Sequence, residues 1–393
     1  MVSKGLNTYE AWANEIGNQT SQDLSKQAVC DKLTTVGREF CEQVLKATLT
    51  KHYKKVGQCH SSLFTSFDSV LLQDSTTLKL PRTLSDTYPG STNQSGTSSA
   101  VARVDAIFDL KTNAFAQFTL RKYTDNDQSA TGHILPWVSK RSLVIRDRGY
   151  FSLGVLSKID QAGGCFLTRT KHGVNFYCEQ TGQKLDLVKM LKKTDFLDQV
   201  VLVGRQHKLC ARLVILPLDK QQAEKNIRAA KQHPDKRFNH SEEYYFLKGY
   251  TIFITNVTKQ IWNTHQVQKA YAMRWRIESI FKCWKTGFKL QKLIHHQCSN
   301  KTRIECYIFL MLTYMAAFHS GVYKPLSDAV SGLKQKKDVS LMKLAKLFRG
   351  NIESLFSDNY KRALLAEIVN RQCTYEVRRN RKNFIQRLNQ TLT

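Results

Sequence analysis

In the stretch Tyr271-Ala-Met-Arg274-Trp-Arg-Ile-Glu278-Ser-Ile-Phe-Lys-Cys-Trp-Lys285, four polar residues recur at intervals of three, four and seven. Upstream, Asn263 is a good N-cap with Gln266 as its capping-box partner, and Gly287 is a natural stop. The 23 residues between them hold neither Pro nor Gly, enough for one helix of roughly 34 Å at 1.5 Å per residue. At about 100° per residue from Tyr271, Arg274 falls at about −60°, Glu278 at about −20° and Lys285 at about −40°. All four share one narrow stripe, and Met273, Ile277, Ile280, Trp284 and Phe288 gather on a neighbouring apolar one. Such a helix packs one side on a core and presents an acid, flanked by cations and a Tyr, along the other. The same spacing also serves a solvated face of i,i+4 salt bridges.

The residues upstream bear on that choice. Val70-Leu-Leu-Gln-Asp74 is a short apolar run ending in an acid, and it reads as a buried strand with a carboxylate at its C-terminal edge. Ser142-Leu-Val-Ile-Arg-Asp147 is a second such run, with Arg148-Gly149-Tyr150 leading into a helix. Between them, residues 81–99 are rich in Pro, Gly, Ser, Thr and Asn and read as loop. Residues 101–109 and 114–120 then alternate apolar and polar around Lys111-Thr-Asn113, the pattern of an antiparallel hairpin. A single Asp at a strand end is usually a cap or turn former. Two strands each delivering an Asp, followed by a helix carrying a Glu, can converge three carboxylates on one site, as an RNase H-like sheet does.

With those acids in place, Tyr-x2-Arg-x3-Glu-x6-Lys resembles the signature of the DDE transposases of bacterial insertion sequences. The match is to their IS-four branch, within the RNase H-like and retroviral integrase superfamily. Tyr271, Arg274, Glu278 and Lys285 fill every position, and Trp-Lys-Thr-Gly follows. Asp74-Ser-Thr-Thr is similar to the first-acid motif. Asp147-Arg-Gly-Tyr, with Gly164-Cys-Phe-Leu-Thr-Arg-Thr-Lys-His behind it, is similar to the second. The resemblance implies Asp74, Asp147 and Glu278 as catalytic acids and metal ligands for two Mg²⁺ ions, Mn²⁺ able to substitute. Asp74 would bridge, Arg274 and Lys285 would clamp phosphates, and Tyr271 would add a phosphate hydrogen bond. Arg169 matches a DNA-contacting position, and Arg148 joins it as a candidate. Relatives stack a flipped-out base on a Trp in the strand before the signature helix. Here that place holds Tyr250-Thr251, the nearest Trp being Trp262, so Tyr250 is the candidate.

The implied function is cut-and-paste transposition: binding of terminal inverted repeats in double-stranded DNA, release of a 3′-OH, a hairpin intermediate and joining to target DNA. Pairing two ends implies at least a homodimer. A catalytically silent DNA-binding regulator of the same fold, and a Mg²⁺-dependent nuclease without strand transfer, are the alternatives.

The totals agree with such a partner. The chain carries 60 Lys+Arg against 32 Asp+Glu, a formal charge of +28, which suits a polyanion. Ten cysteines without Cys-x-x-Cys, and no secretory leader, suggest reduced thiols in a cytosolic protein, and the resemblance implies a bacterial, nucleoid-associated one. Cys165, His172 and Cys178, and also His295, His296, Cys298 and Cys306, lack a recognised zinc spacing. The most apolar run, residues 307–318, falls short of the ~20 residues a bilayer needs and reads as a buried helix.

The fold expected is α/β: an RNase H-like catalytic core (63–160 and 256–300) interrupted by a mostly β insertion subdomain (161–255). Helical regions flank it at 1–62 and 301–393. The gap of 131 positions from the second acid to the third is too long for a loop. Strands are expected at 164–169, 174–178, 200–204, 209–216 and 250–255, and helices at 185–193 and 221–232. The insertion is rich in base, with Arg169, Lys171, Arg205, Lys208, Lys225, Arg228, Lys231, Lys236 and Arg237. Both a solvated surface and a groove on DNA backbone fit that excess, and the shortage of matching acids favours the groove. Near the start, Leu33, Val36, Phe40, Val44 and Leu45 have helical spacing. Residues 23–33 have the size of a helix-turn-helix element, with Lys26, Gln27 and Lys32 able to reach DNA, and an ordinary amphipathic pair fits them equally. Past Gly287, helices are expected at 304–318, 341–348 and 360–368, then a basic close at 376–387.

Overall fold

The computed structural model describes residues 4–6, 8–53, 62–92, 98–232, 241–294, 300–333, 338–356 and 362–375. The chain opens with α1 (Tyr9–Thr20), α2 (Lys26–Lys32) and α3 (Thr35–Tyr53). Four strands follow, β1 (Ser69–Leu80), β2 (Pro89–Thr92), β3 (Ser98–Asp109) and β4 (Ala114–Lys122). Next come β5 (Ser142–Arg146), α4 (Leu153–Gln161), β6 (Cys165–Arg169), β7 (Phe176–Cys178) and α5 (Leu187–Leu191). Then β8 (Leu197–Val203), β9 (Leu209–Pro217), α6 (Lys220–Lys231), α7 (Glu242–Leu247) and β10 (Tyr250–Thr255) lead to α8 (Thr264–Ala272) and α9 (Trp275–Lys282). The chain closes on α10 (Lys301–Ala317), α11 (Lys324–Ser331), α12 (Leu341–Phe356) and α13 (Arg362–Gln372).

Strand order is β2-β3-β1-β5-β6-β10-β9-β8-β7, with β4 on β3. A hairpin, then β1 beside parallel β5 and β6, is the RNase H-like order expected. The chain divides into two compact units. One comprises Ser61–Gln73 and Asn126–Arg274; the other comprises Met1–His60, Asp74–Asp125 and Trp275–Thr393.

In the first of these, residues 69–73 of β1 pair parallel with β5, and β5 pairs parallel with β6. Val70, Leu71, Leu72, Leu143, Val144, Ile145, Phe166 and Leu167 are all buried. Strands covered on both faces need continuous apolar runs, which is how they read in the sequence. Beyond β6 the pairing turns antiparallel through β10, β9, β8 and β7. Each of the five strands expected in this region is present, as are helices over the two expected stretches. The sequence reading did not assign α7.

The other unit is built on the β3–β4 hairpin and the later helices. Its tight connection places Asn113 at φ 52, a left-handed conformation that Asn tolerates. β1 runs on to Leu80, burying Thr76, Leu78 and Leu80. Asp74 therefore stands in the middle of a 12-residue strand and not at its C-terminal edge, because the period-two pattern continues past the acid. The stretch read as loop also contains β2. On α3 the buried residues are Cys41, Leu45 and Leu49, while Val36 and Phe40 are 74% and 64% exposed. The expected apolar face was thus turned about one residue too far, since Arg38 occupies the protected side and donates to Glu305 of α10 at 2.6 Å. Leu45→Ala is expected to cost about 2–5 kcal/mol in a urea melt, and Phe40→Ala within about 0.5 kcal/mol.

The helix expected at residues 304–318 is α10, and with α11 it forms the continuous stretch Lys301–Ser331. It is long and apolar enough to cross a membrane by length and composition, yet 61% of its most apolar window is buried inside the protein. That makes it a core helix, as the sequence suggested. Lys236 and Arg237, the His295-His296-Cys298 group and the basic 376–387 segment lie outside the described residues.

Candidate active site

Register fixes where the second acid stands. Gln73 pairs with Arg146, and Arg146 pairs with Thr168. Asp74, Asp147 and Arg169 are thus each the residue that follows a register partner on consecutive strands. Asp147 has extended backbone and begins the 3₁₀ turn Arg148–Tyr150, its carbonyl accepting from the Tyr150 N–H at 3.1 Å. The side chain is thereby presented at the strand end, as expected.

Tyr271 and Arg274 come to Asp147 from α8 and the turn after it. The Tyr271 hydroxyl donates to Asp147 Oδ1 at 3.0 Å. Arg274 lies over the Tyr271 ring, 5.6 Å from its centroid, and Phe253 of β10 packs on the same ring at 5.1 Å. Tyr271 and Arg274 are 7% and 8% exposed. Burial alone would push the Asp147 carboxyl up. The Arg274 charge, the Arg148 N–H, the Tyr271 hydroxyl and the Arg148 charge outweigh it, holding that carboxyl below its ordinary value. The same burial, with Asp147 beside it, raises Tyr271 and keeps it a donor. Arg169, lowered first by its own burial, adds a third guanidinium to this group. One carboxylate among Arg148, Arg169 and Arg274 leaves positive charge in surplus, which favours a phosphate neighbour.

Tyr271→Phe removes a hydrogen bond to a charged acceptor, an interaction worth about 1.5–3 kcal/mol. If that bond matters fully in the transition state, the rate of strand cleavage falls about 10- to 100-fold. Single-turnover kinetics at saturating DNA is the check.

The uninterrupted helix expected over 264–286 is two helices. α8 ends at Ala272, and the N–H groups of Met273 and Arg274 bond the carbonyls three residues back at 3.1 and 3.0 Å. In such a 3₁₀ step residues i and i+3 eclipse, which sets Arg274 over Tyr271. Tyr271 therefore lies on α8, Arg274 in the turn after it, Glu278 on α9 and Lys285 on the turn that follows. Tyr271 and Arg274 belong with Asp147 in one unit, and Glu278 and Lys285 belong with Asp74 in the other. Glu278 is half-buried on α9, and Lys285 is exposed on the π turn Cys283–Gly287. The apolar stripe does hold, with Met273, Ile277, Ile280, Trp284 and Phe288 all buried. Asp74 is half-buried and its Oδ1 accepts from the Ser75 N–H at 2.8 Å. Among the described residues, no group of three or more His, Cys, Asp or Glu is placed to hold a metal ion.

Trp262 is 1% exposed, packs on Phe64 and Phe67, and donates from its indole to the Leu63 carbonyl at 2.9 Å. It is a core residue. Tyr250 is half-buried beside Phe246, ring centroids 5.4 Å apart. Sequence reading missed two supports of the site. Asp198 of β8 takes a bidentate pair from Arg212 of β9, at 2.8 and 2.7 Å, and accepts from Thr264 at 2.6 Å. Arg212 also donates to the carbonyl of Trp262 at 2.7 Å, just ahead of the Asn263–Gln266 capping box, so this pair seats the start of α8. Near Asp147, a Cβ on Gly149 would lie 2.9 Å from Asp127 Oδ2, so a larger residue there would push that carboxylate aside. Neither could be found from spacing, because each joins residues distant in sequence.

The family model described as Transposase DDE domain matches residues 65–315. The transposase for insertion sequence element IS231C of Bacillus thuringiensis subsp. berliner is 25% identical over 338 residues, covering 81% of this chain and 69% of its own. That for IS1151 of Clostridium perfringens is 25% identical over 293 residues, covering 70% and 62%. Among solved structures, the cryo-EM synaptic complex of piggyBac transposase with hairpin DNA aligns at a TM-score of 0.40 and 8% identity, over 77% of this chain and 57% of that one. With its family model matched across the catalytic region and its sheet in RNase H-like order, the chain belongs to the DDE transposases, enzymes of DNA strand cleavage and transfer.

Proposed function

We propose that this transposase works by cut-and-paste, binding the terminal inverted repeats of its element as a homodimer, cleaving at their boundary and joining the 3′-OH ends to target DNA. The observation that carries the reading is the Asp147 carboxylate, held ionised among Tyr271, Arg148, Arg169 and Arg274. A phosphodiester approaching there meets guanidinium donors for its oxygens beside an acid. Asp74, Asp147 and Glu278 are half-buried carboxylates, the hard oxygen donors that suit Mg²⁺, and they are the residues that would hold it. Bound divalent metal would sharpen the attacking oxygen and neutralise charge on the leaving one.

The chain's own residues supply the rest. Tyr271 fixes one oxygen of Asp147, which limits how the carboxylate can rotate. Arg274 is locked over the Tyr271 ring, so its charge is offered without further loss of side-chain freedom. Lys285 is exposed on its π turn, as a side chain that meets DNA phosphates must be. Helix α6 has no buried residue and carries Lys220, Lys225, Arg228 and Lys231, which suits backbone contact along the duplex.

The test is a linear duplex ending in the element's own repeat, incubated with Mg²⁺, Mn²⁺ or EDTA and run on a denaturing gel beside a target plasmid. The expected result is metal-dependent nicking at the repeat boundary, followed by joined product. Binding without cleavage in either metal would replace this reading with the DNA-binding regulator, and cleavage without joining with the nuclease.

A further inference from the structure

The two residues that precede the strand-borne acids turn to the other side of the sheet. Gln73 is 0% exposed and Arg146 is 1% exposed. Arg146 Nη1 donates to Gln73 Oε1 at 3.2 Å and to the Thr131 carbonyl at 2.8 Å. Gln73 Nε2 donates to the Ala130 carbonyl at 2.8 Å. Neither partner of Arg146 is a carboxylate, and its Nη2 is buried without a hydrogen-bond partner. A guanidinium stays protonated in proteins, so Arg146 is a buried cation.

Stability does not account for such a residue. An uncompensated buried charge is costly, and a packed apolar side chain in its place is often neutral or stabilising. What the arginine does supply is reach and direction. With Gln73 it cross-links the last register pair of β1 and β5 to the segment at 130–131, from the face opposite the acids. That segment continues back to Asp127, whose carboxylate lies against Gly149 in the turn that follows Asp147. The end of the β1–β5 pairing is therefore tied to residues 130–131, and Asp127 of the same segment lies against the turn bearing Arg148.

We propose that Gln73 and Arg146 are positioning residues, a buried clamp that sets where the carboxylates of Asp74 and Asp147 stand. The proposal rests on the catalytic reading of those two acids. A carboxylate displaced by a fraction of an ångström costs rate steeply, on the order of 10²-fold per ångström. The clamp is rigid because every bond in it is shielded from water.

The test compares wild type with Gln73→Leu, Arg146→Met and Gln73→Glu, the last still able to accept from Arg146. Four quantities are read on the full chain: single-turnover cleavage rate, affinity for end DNA, the Mg²⁺ concentration for half-maximal rate, and melting temperature. The Leu and Met variants should cleave about 10- to 100-fold more slowly and need several-fold more Mg²⁺. Their DNA affinity should be unchanged, and Arg146→Met, which removes a buried charge but leaves Gln73 Oε1 and the Thr131 carbonyl unpaired, should change the melting temperature little. Gln73→Glu should recover most of the rate. The clamp is overturned by variants that match an active wild type in rate and metal requirement. It is equally overturned by variants that fail to fold, or that lose rate, DNA affinity and melting temperature in step, since the pair is then only a structural pin. A wild type that binds DNA and never cleaves overturns the catalytic reading and this proposal together.

Discussion

Asp147→Ala and Glu278→Gln each abolish strand cleavage, by roughly 10³-fold or more, and the double variant is scarcely worse than either. Acids that act as one unit lose the reaction together when any is removed, so their effects do not add. DNA binding responds separately from cleavage, through the charge around the acid. Asp147 is the carboxylate that Arg148, Arg169 and Arg274 surround, and its loss leaves their charge uncompensated. End-DNA affinity should rise in Asp147→Ala, with a salt dependence steeper by about 0.9 for each further phosphate neutralised. Binding measured from low to moderate salt, next to cleavage on the same DNA, separates the two effects. Cleavage retained by either variant would remove that acid from the reaction.

The sequence was legible where local pattern and burial agree. Residues 70–72 and 143–145 are apolar without a break because both faces of those strands are covered, and Lys111-Thr-Asn113 marks a turn by chemistry any hairpin needs. The setting of Asp147 was legible for the same reason, since it follows a recognisable strand, whereas that of Asp74 was not, because β1 runs on to Leu80. The break at Met273–Arg274 was not, since no Pro or Gly announces it. It arises from a 3₁₀ step whose outcome, Arg274 over Tyr271 beside Asp147, joins residues more than a hundred positions apart. The buried side of α3 was misjudged because Arg38, a charged residue, occupies the protected face by bonding Glu305. Spacing reports which residues a straight helix would align, and it is silent on where tertiary contacts bend one. For that reason the four-residue signature survives as a set of residue types while the single helix expected to carry it does not.

The largest expected loss of stability, by contrast, lies in a pair that no motif marks. Arg212→Met should destabilise the fold by about 3 kcal/mol, because it leaves the buried Asp198 carboxylate with only Thr264 and, at 3.6 Å, Lys259. In the wild type, side chains of Arg212 and Asp198 are 4% and 7% exposed, and Arg212 also serves the carbonyls of Val257 and Trp262. Replacing both partners, Asp198→Leu with Arg212→Met, should return much of the loss, since what is costly is the poorly compensated charge and not the absence of the pair. The recovery stays incomplete because Thr264 and the two carbonyls lose their partners. Acid makes a second distinction. Burial raises the Asp198 carboxyl, but the Arg212 and Thr264 hydrogen bonds and nearby positive charges bring it below its ordinary value of 3.8. A depressed carboxylate stabilises the fold above that ordinary value and loses its contribution as pH falls through the depressed one. The wild type should therefore lose stability in that window by a margin that the double variant lacks. Urea melts of the singles and the double at neutral pH and in acid decide it, and a double variant no more stable than Arg212→Met would defeat the argument. Because this pair seats the start of α8 and touches neither Asp147 nor Tyr271, Arg212→Met in the cold should cleave as fast per folded molecule as wild type, the reverse of what Asp147→Ala does.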